Sequence, residues 1–203
     1  LLDFPGLNHL YLRIDWSDVQ PEPDRFDWSY IDQIMDEWGK MGYRFSFRVC
    51  SYETDDKQTY AAPEWLIQKG CKGKYFPMPR SGGQLWEPDY GDPVYLYYLE
   101  QFMAVFAAKF DNDPRVEFVD WGSYGTWGEG HTGWGSQKSW PVEDMKKHVD
   151  IHVKYFKNKP ILVNDDHFNS RVDDTQENNK ILLDYCIEKG LGLRDDSICV
   201  AGY

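Results

Sequence analysis

Residues Leu10–Ile14 (LYLRI) form an apolar run of strand length, closed on its far side by the charge of Arg13 and Asp15. Two prolines in the QPEPD segment then turn the chain. Helical spacing follows, with Tyr30, Ile31, Ile34, Met35 and Trp38 on one face, Asp27 or Ser29 as the cap and Gly42 just past the end. Tyr43–Val49 (YRFSFRV) is the next strand. Strand, helix and strand within about forty residues make a βαβ unit, whose crossover is right-handed.

The pattern then loosens. Between Cys50 and Asp92 only Pro63–Lys69 reads as a short helix, with Pro at its first turn. The rest is rich in Gly, Pro and aromatics, as expected of an ordered binding loop. Regular spacing returns in a helix over Val94–Phe110, its face made by Leu96, Leu99, Phe102, Met103 and Phe106. A strand at Glu117–Trp121, a helix at Pro141–Tyr155 and a strand at Pro160–Val163 follow. A helix at Thr175–Lys189 ends at Gly190, and Leu191–Leu193 and Ile198–Ala201 read as short strands. This alternation implies a parallel sheet covered by helices.

Two architectures fit such a sheet, a doubly wound nucleotide-binding fold and a (β/α)8 barrel. No GxGxxG or Walker-type loop follows the first strand, which weakens the first. Polar and aromatic residues instead gather after each strand end, where barrel enzymes build their sites. These are Arg13, Asp15 and Trp16; Arg48; the run from Trp121 to His131; Asn164, Asp165, Asp166 and His167; and Arg194 and Asp196. A complete barrel takes about 250 residues, so the expected fold is an incomplete TIM barrel with residues 1–203 as one catalytic domain.

Composition narrows the partners. A net charge of −12 excludes nucleic acid and anionic membranes as expected partners, because nothing could neutralise a run of phosphates. No apolar stretch is long enough for a transmembrane helix. The start at Leu1, with no signal peptide in view, points to a processed, trimmed or partial chain. Cys50, Cys71, Cys186 and Cys199 form no CxxC pair and leave three disulfide pairings open.

The stretch EFVDWGSYGTWGEGH, residues 117–131, carries the most chemistry. It begins as a buried strand and breaks into a loop in which Gly122, Gly125, Gly128 and Gly130 alternate with Ser123, Tyr124, Trp127, Glu129 and His131. Glycine permits close backbone approach or a sharp turn. Tryptophan stacks on the apolar face of a sugar ring, and Trp16, Trp127 and Trp134 are candidate platforms. Glu129, set among aromatics that disfavour its anion, is the candidate acid of a glycoside hydrolase. The second carboxylate that such chemistry requires is open among Asp165, Asp166 and Asp196. Arg13 and Arg48 are placed to orient carboxylates or bind substrate.

The passage IDWSDVQPEPDRFDWSYIDQIMDEWGKMGYRFSFRV resembles the second strand, second helix and third strand of clan A glycoside hydrolases. The nearest likeness is to family 42-type β-galactosidases and their bacterial barrel relatives. The resemblance implies a partial barrel, strands two to six, acting on O-glycosidic bonds of an oligo- or polysaccharide without a cofactor or metal. An extracellular or periplasmic location is expected. Clan members place Asn-Glu after strand four, whereas this chain reads Gly122-Ser123-Tyr124, so Glu129 is assigned by role. The clan's nucleophile follows strand seven, beyond the strands read here. A glycan-binding or structural barrel without hydrolysis is the alternative.

Two smaller features read as structural. His148 and His152 have metal-ligand spacing on one helix but no HExxH context, and are expected to be a solvated pair. Cys50 is expected to serve packing or a disulfide.

Overall fold

The computed structural model describes residues 6–54, 58–78, 82–168 and 176–195. Five parallel strands form one sheet: β1 (His9–Asp15), β2 (Arg44–Cys50), β5 (Val116–Asp120), β6 (Ile161–Asn164) and β7 (Gly192–Arg194). Their order in the sheet is their order in sequence, and every pairing is parallel. A doubly wound sheet reverses direction at a switch point, and this one does not. Continuous winding of strand and helix is the wall of a (β/α)8 barrel, here five strands of it.

The helices cover one face. Helix α1 (Trp16–Val19) is a single turn, and α2 (Ser29–Gly39) starts where Asp27 accepts bonds from the Ser29 amide at 3.0 Å and hydroxyl at 2.5 Å. Its inner face is Ile31 and Met35, with Ile34 and Trp38 half-buried. Tyr30, expected on that face, is exposed. After the one-turn helix α3 (Trp65–Gln68), α4 (Pro93–Phe110) is the longest. Asp92 caps it by accepting from the Val94 amide at 2.8 Å, and Pro93 occupies the first turn, where no amide donor is required. Phe102, Phe106 and Phe110 lie at helical spacing and pack on the sheet, Phe47 touching Phe110 at 4.7 Å and Phe106 at 5.7 Å between centroids. Helices α5 (Val142–Tyr155) and α6 (Gln176–Glu188) complete the layer.

Strand alternation sends the other side chains to the opposite face. On β2, Phe45, Phe47 and Val49 join the helix-side core while Ser46 and Arg48 face away from it. On β1, Tyr11, Arg13 and Asp15 share a parity, and on β5 the matching residue is Asp120. The face opposite the helices is therefore polar and charged.

Three further sequence expectations change. The segment from Cys50 to Asp92 contains an antiparallel hairpin, β3 (Gly73–Pro77) with β4 (Gln84–Pro88), where irregular chain was expected. Its strands are short and broken by Gly and Pro, so no period emerges; the cross-strand ladder stabilises them. Trp121 starts the loop instead of ending β5. His148 and His152 are fully buried on the inner face of α5. His148 Nε2 donates to the Tyr90 carbonyl at 2.8 Å, leaving Nδ1 to accept from the Ser123 hydroxyl at 2.8 Å. Burial pushes both imidazoles down to about 4, so they are neutral packing groups and not a solvated pair. The His148 partners lie on other elements, which spacing along one helix does not reveal, and His152 Nδ1 bonds the His148 carbonyl at 2.8 Å within the helix. The Ile198–Ala201 segment lies outside the described residues.

Candidate active site

Each strand of the main sheet carries a polar residue at or near the same edge: Asp15 on β1, Arg48 two residues before the end of β2, Asp120 on β5, Asn164 on β6 and Arg194 on β7. Asp120 is the hub. Its Oδ2 accepts from the Tyr11 hydroxyl, from Arg48 Nε at 3.3 Å and from Arg194 Nε at 3.0 Å. Tyr11 lies under both guanidinium groups, at 5.4 Å from Arg48 and 5.2 Å from Arg194.

Arg48 extends this network to the loop. Its Nη1 donates to Glu129 Oε1 at 2.7 Å and to the Trp127 carbonyl at 3.3 Å. The Trp127 carbonyl also accepts from the Cys50 thiol at 3.0 Å. These bonds hold Trp127 at φ +55°, a left-handed conformation that costs a non-glycine residue about 1 kcal/mol or more. The Trp127 amide donates to the Tyr52 carbonyl at 2.8 Å and its indole to Thr54 Oγ1 at 2.9 Å, so the strained residue is fixed at every polar atom. Glu129 emerges from this turn with 14 % of its side chain exposed.

The loop glycines serve packing. A Cβ on Gly122 would meet Arg48 Cγ at 2.6 Å, and one on Gly130 would meet the His167 ring at 2.2 Å. Bringing Glu129 onto Arg48 thus requires glycine where the loop crosses β2 and the turn that follows β6.

Burial pushes the Glu129 carboxyl upward, but hydrogen bonding and charge from His131 and Arg48 outweigh it and hold the group below its ordinary value. Arg48 is the closer partner, since His131 Nε2 stands 3.8 Å from Glu129 Oε2. Glu129 is therefore an anion in the free site, contrary to the expectation that aromatic surroundings would keep it protonated. The aromatics are present, but a guanidinium from β2 is closer.

Glu129, His131 and Asp166 bring one donor atom each to within 4.8 Å of one another, a set able to hold a divalent cation. The guanidinium of Arg48 against Glu129 opposes a second positive charge there. Asp166 belongs to a 3-10 turn, Asp165–Phe168, whose start is set by Asn164 Oδ1 accepting from the Asp166 amide at 2.9 Å.

Other predicted residues divide clearly. Asp165 is half-buried beside Asp166. Arg13 pairs with Glu53 at 3.1 Å, and Asp15 accepts from Gln58 at 2.6 Å, so both stay at the edge. Trp134 is 55 % exposed and lies 6.4 Å from Trp127, which places two of the three proposed platforms together. The third is not one: Trp16 is fully buried against Trp65, Tyr95 and Phe102, because the chain turns inward into α1 right after β1. Trp121, Ser123, Tyr124 and His167 are buried as well. Trp121 packs at a tilt on His167 with ring centroids 4.2 Å apart, Ser123 binds His148, and Tyr124 packs on Tyr90 at 4.8 Å. They form the floor of the loop and not its open surface. Cys50, Cys71 and Cys186 are buried free thiols, and burial pushes Cys50 far above the range of a nucleophile. Asp196 and Cys199 lie outside the described residues.

Residues 5–122, more than half of the sequence, match the glycoside hydrolase family 42 model, described as beta-galactosidase. The chain belongs to this family. Solved structures of similar fold include a beta-galactosidase from the psychrophilic Marinomonas ef1, with a TM-score of 0.53 and 12 % identity over 78 % of this chain and 33 % of that one. Xylanase B from Clostridium stercorarium F9 superposes with a TM-score of 0.52 and 14 % identity, over 92 % of this chain and 52 % of that one. An endo-1,4-beta-xylanase from Caldicellulosiruptor owensensis gives 0.51 and 14 %, with the same coverage. The chain thus spans between a third and about half of the length of these structures.

The family 42 match ends at Gly122. Tyr11, Arg48 and Asp120 lie within it, whereas the Glu129 loop lies beyond it. Tyr11, Asp120 and Glu53 were not singled out from sequence. The first two share the strand parity of Arg13 and Arg48, and that alternation is the signal that could have found them.

Proposed function

We propose that this chain forms part of a glycosidase hydrolysing O-glycosidic bonds of an oligo- or polysaccharide, within one catalytic domain, with Glu129 as its acid/base group. The observation that carries the reading is the Arg48–Glu129 contact at the carboxyl edge of the barrel strands, 2.7 Å long and largely withdrawn from water. Trp127 and Trp134 beside it offer the apolar faces on which a sugar ring stacks. A location outside the cytoplasm, where polysaccharides are met, accompanies this reading.

In a retaining reaction the same carboxyl group first protonates the leaving oxygen and then takes a proton from water. The free site has Glu129 ready for the second task. The first requires its proton affinity to rise. A bound sugar that expels water, and a second carboxylate about 5 Å away, both act in that direction. Asp166, within 4.8 Å of Glu129, supplies such negative charge from this chain.

Glu129→Gln keeps the shape and removes proton transfer. On a panel of aryl glycosides and oligosaccharides its kcat is expected to fall by about 10²–10⁴-fold. Unchanged turnover would remove Glu129 from the mechanism.

A further inference from the structure

A cleft of about 230 Å³ opens between the β3–β4 hairpin and the loop that leads from Glu129 to α5. None of Arg48, Glu129 or His131 lines it. Lys72, Lys74 and Lys138 line it together with Phe76 and Trp140. Lys138 Nζ sits 4.7 Å from the centre of the Trp140 ring, so charge and aromatic surface meet at one place. An adjoining cleft of about 270 Å³ shares Lys72, Lys138 and Trp140, which puts these side chains at the middle of one continuous groove.

The carboxyl groups beside these lysines, Glu87, Asp89, Asp92 and Asp144, each have partners of their own: Asp92 accepts from the Val94 amide at 2.8 Å and Asp144 from Lys147 at 2.7 Å. Glu87, on the wall of the first cleft, is 2 % exposed, and its carboxyl accepts from the Ser136 amide at 2.6 Å and hydroxyl at 3.2 Å. Burial pushes it up to about 7, so near neutrality it carries only part of a charge. The Asp89 carboxylate is engaged by the Trp140 indole at 2.7 Å and the Gly91 amide at 3.1 Å. In a chain of net charge −12, three lysines gather along one groove, and like charges so placed repel one another.

We propose that this groove is an accessory subsite for an anionic sugar unit, a uronate or a sulfated hexose, of a glycan cleaved at the Glu129 edge. The proposal rests on the glycosidase reading for its choice of sugar. The apolar face of the ring packs on Phe76 and Trp140, and the carboxylate or sulfate takes charge-assisted bonds from the lysines. Neutral sugars gain only the first of these.

The test is calorimetric titration of the full chain with methyl galacturonide, galactose 6-sulfate and methyl galactoside. At least one anionic probe is expected to bind about tenfold more tightly than the neutral one. The larger gain of the two tells carboxylate from sulfate. That preference is expected to disappear in Lys72→Ala/Lys138→Ala and at high salt, and to survive in Glu129→Gln. Equal binding of charged and neutral probes, or a preference that persists in the double lysine variant, would overturn the proposal. Turnover of neutral aryl glycosides, followed in parallel, separates the two readings. Loss of the subsite alone leaves turnover intact with no anion preference, and failure of the glycosidase reading leaves the preference with no turnover.

Discussion

Glu129 and Glu87 are both carboxyl groups withdrawn from water, one on the loop after β5 and one on the hairpin, and their proton affinities move in opposite directions. Around Glu129, His131 and a guanidinium at 2.7 Å together override burial. Around Glu87 the donors are the neutral amide and hydroxyl of Ser136, and burial prevails. Burial sets the size of the stake, and the nearest charge decides its sign. An aromatic setting alone is therefore a poor guide to which carboxyl holds a proton.

The contrast depends most on Arg48, so its removal has the largest expected effect. Arg48→Met leaves Asp120 and Glu129 buried without their common cation, a loss of about 3–5 kcal/mol in urea denaturation. In any variant that still folds, the Glu129 carboxyl is expected above its ordinary value, visible by NMR titration. A stability loss under 1 kcal/mol with an unshifted Glu129 would break the comparison.

Glu87 gives the next effect. Its value is 4.5 when unperturbed and about 7 in the fold. Below 4.5 both states are protonated and no penalty exists. As pH rises from 4.5 to 7 the unfolded chain ionises while the folded chain keeps its proton, so stability falls, and above 7 the penalty is complete. It amounts to at most about 3 kcal/mol. The difference in unfolding free energy between Glu87→Gln and wild type is expected to drift in the variant's favour across this window. A flat difference would place the Glu87 proton elsewhere.

Asp92 is a carboxylate with a purely local task, which sharpens the scale. Asp92→Ala removes the cap from α4 and is expected to cost about 1 kcal/mol by chemical denaturation, with turnover unchanged.

The frame was legible in the sequence because strand and helix periods are local. The Val94–Phe110 face and the Tyr43–Val49 strand recur in the fold within a residue or so. The hairpin was not legible, since GKYFP and QLWEP form strands through each other's hydrogen bonds. The site was legible in part. Residues after strand ends do gather at one edge, yet Trp16 turned inward with α1 and Trp121, Ser123, Tyr124 and His167 became the loop's floor. Asp120 was hidden inside an apolar strand, and Arg48 meets Glu129 across 81 residues of chain. Electrostatics between distant residues has no signature along a single segment.

The most direct test of the central claim sets the two glutamates side by side, as kcat for aryl glycoside hydrolysis by Glu129→Gln and Glu87→Gln. The structure predicts a collapse of about 10²–10⁴-fold for the first and near wild-type turnover for the second. Full turnover in Glu129→Gln, or a collapse in Glu87→Gln alone, would contradict the assignment.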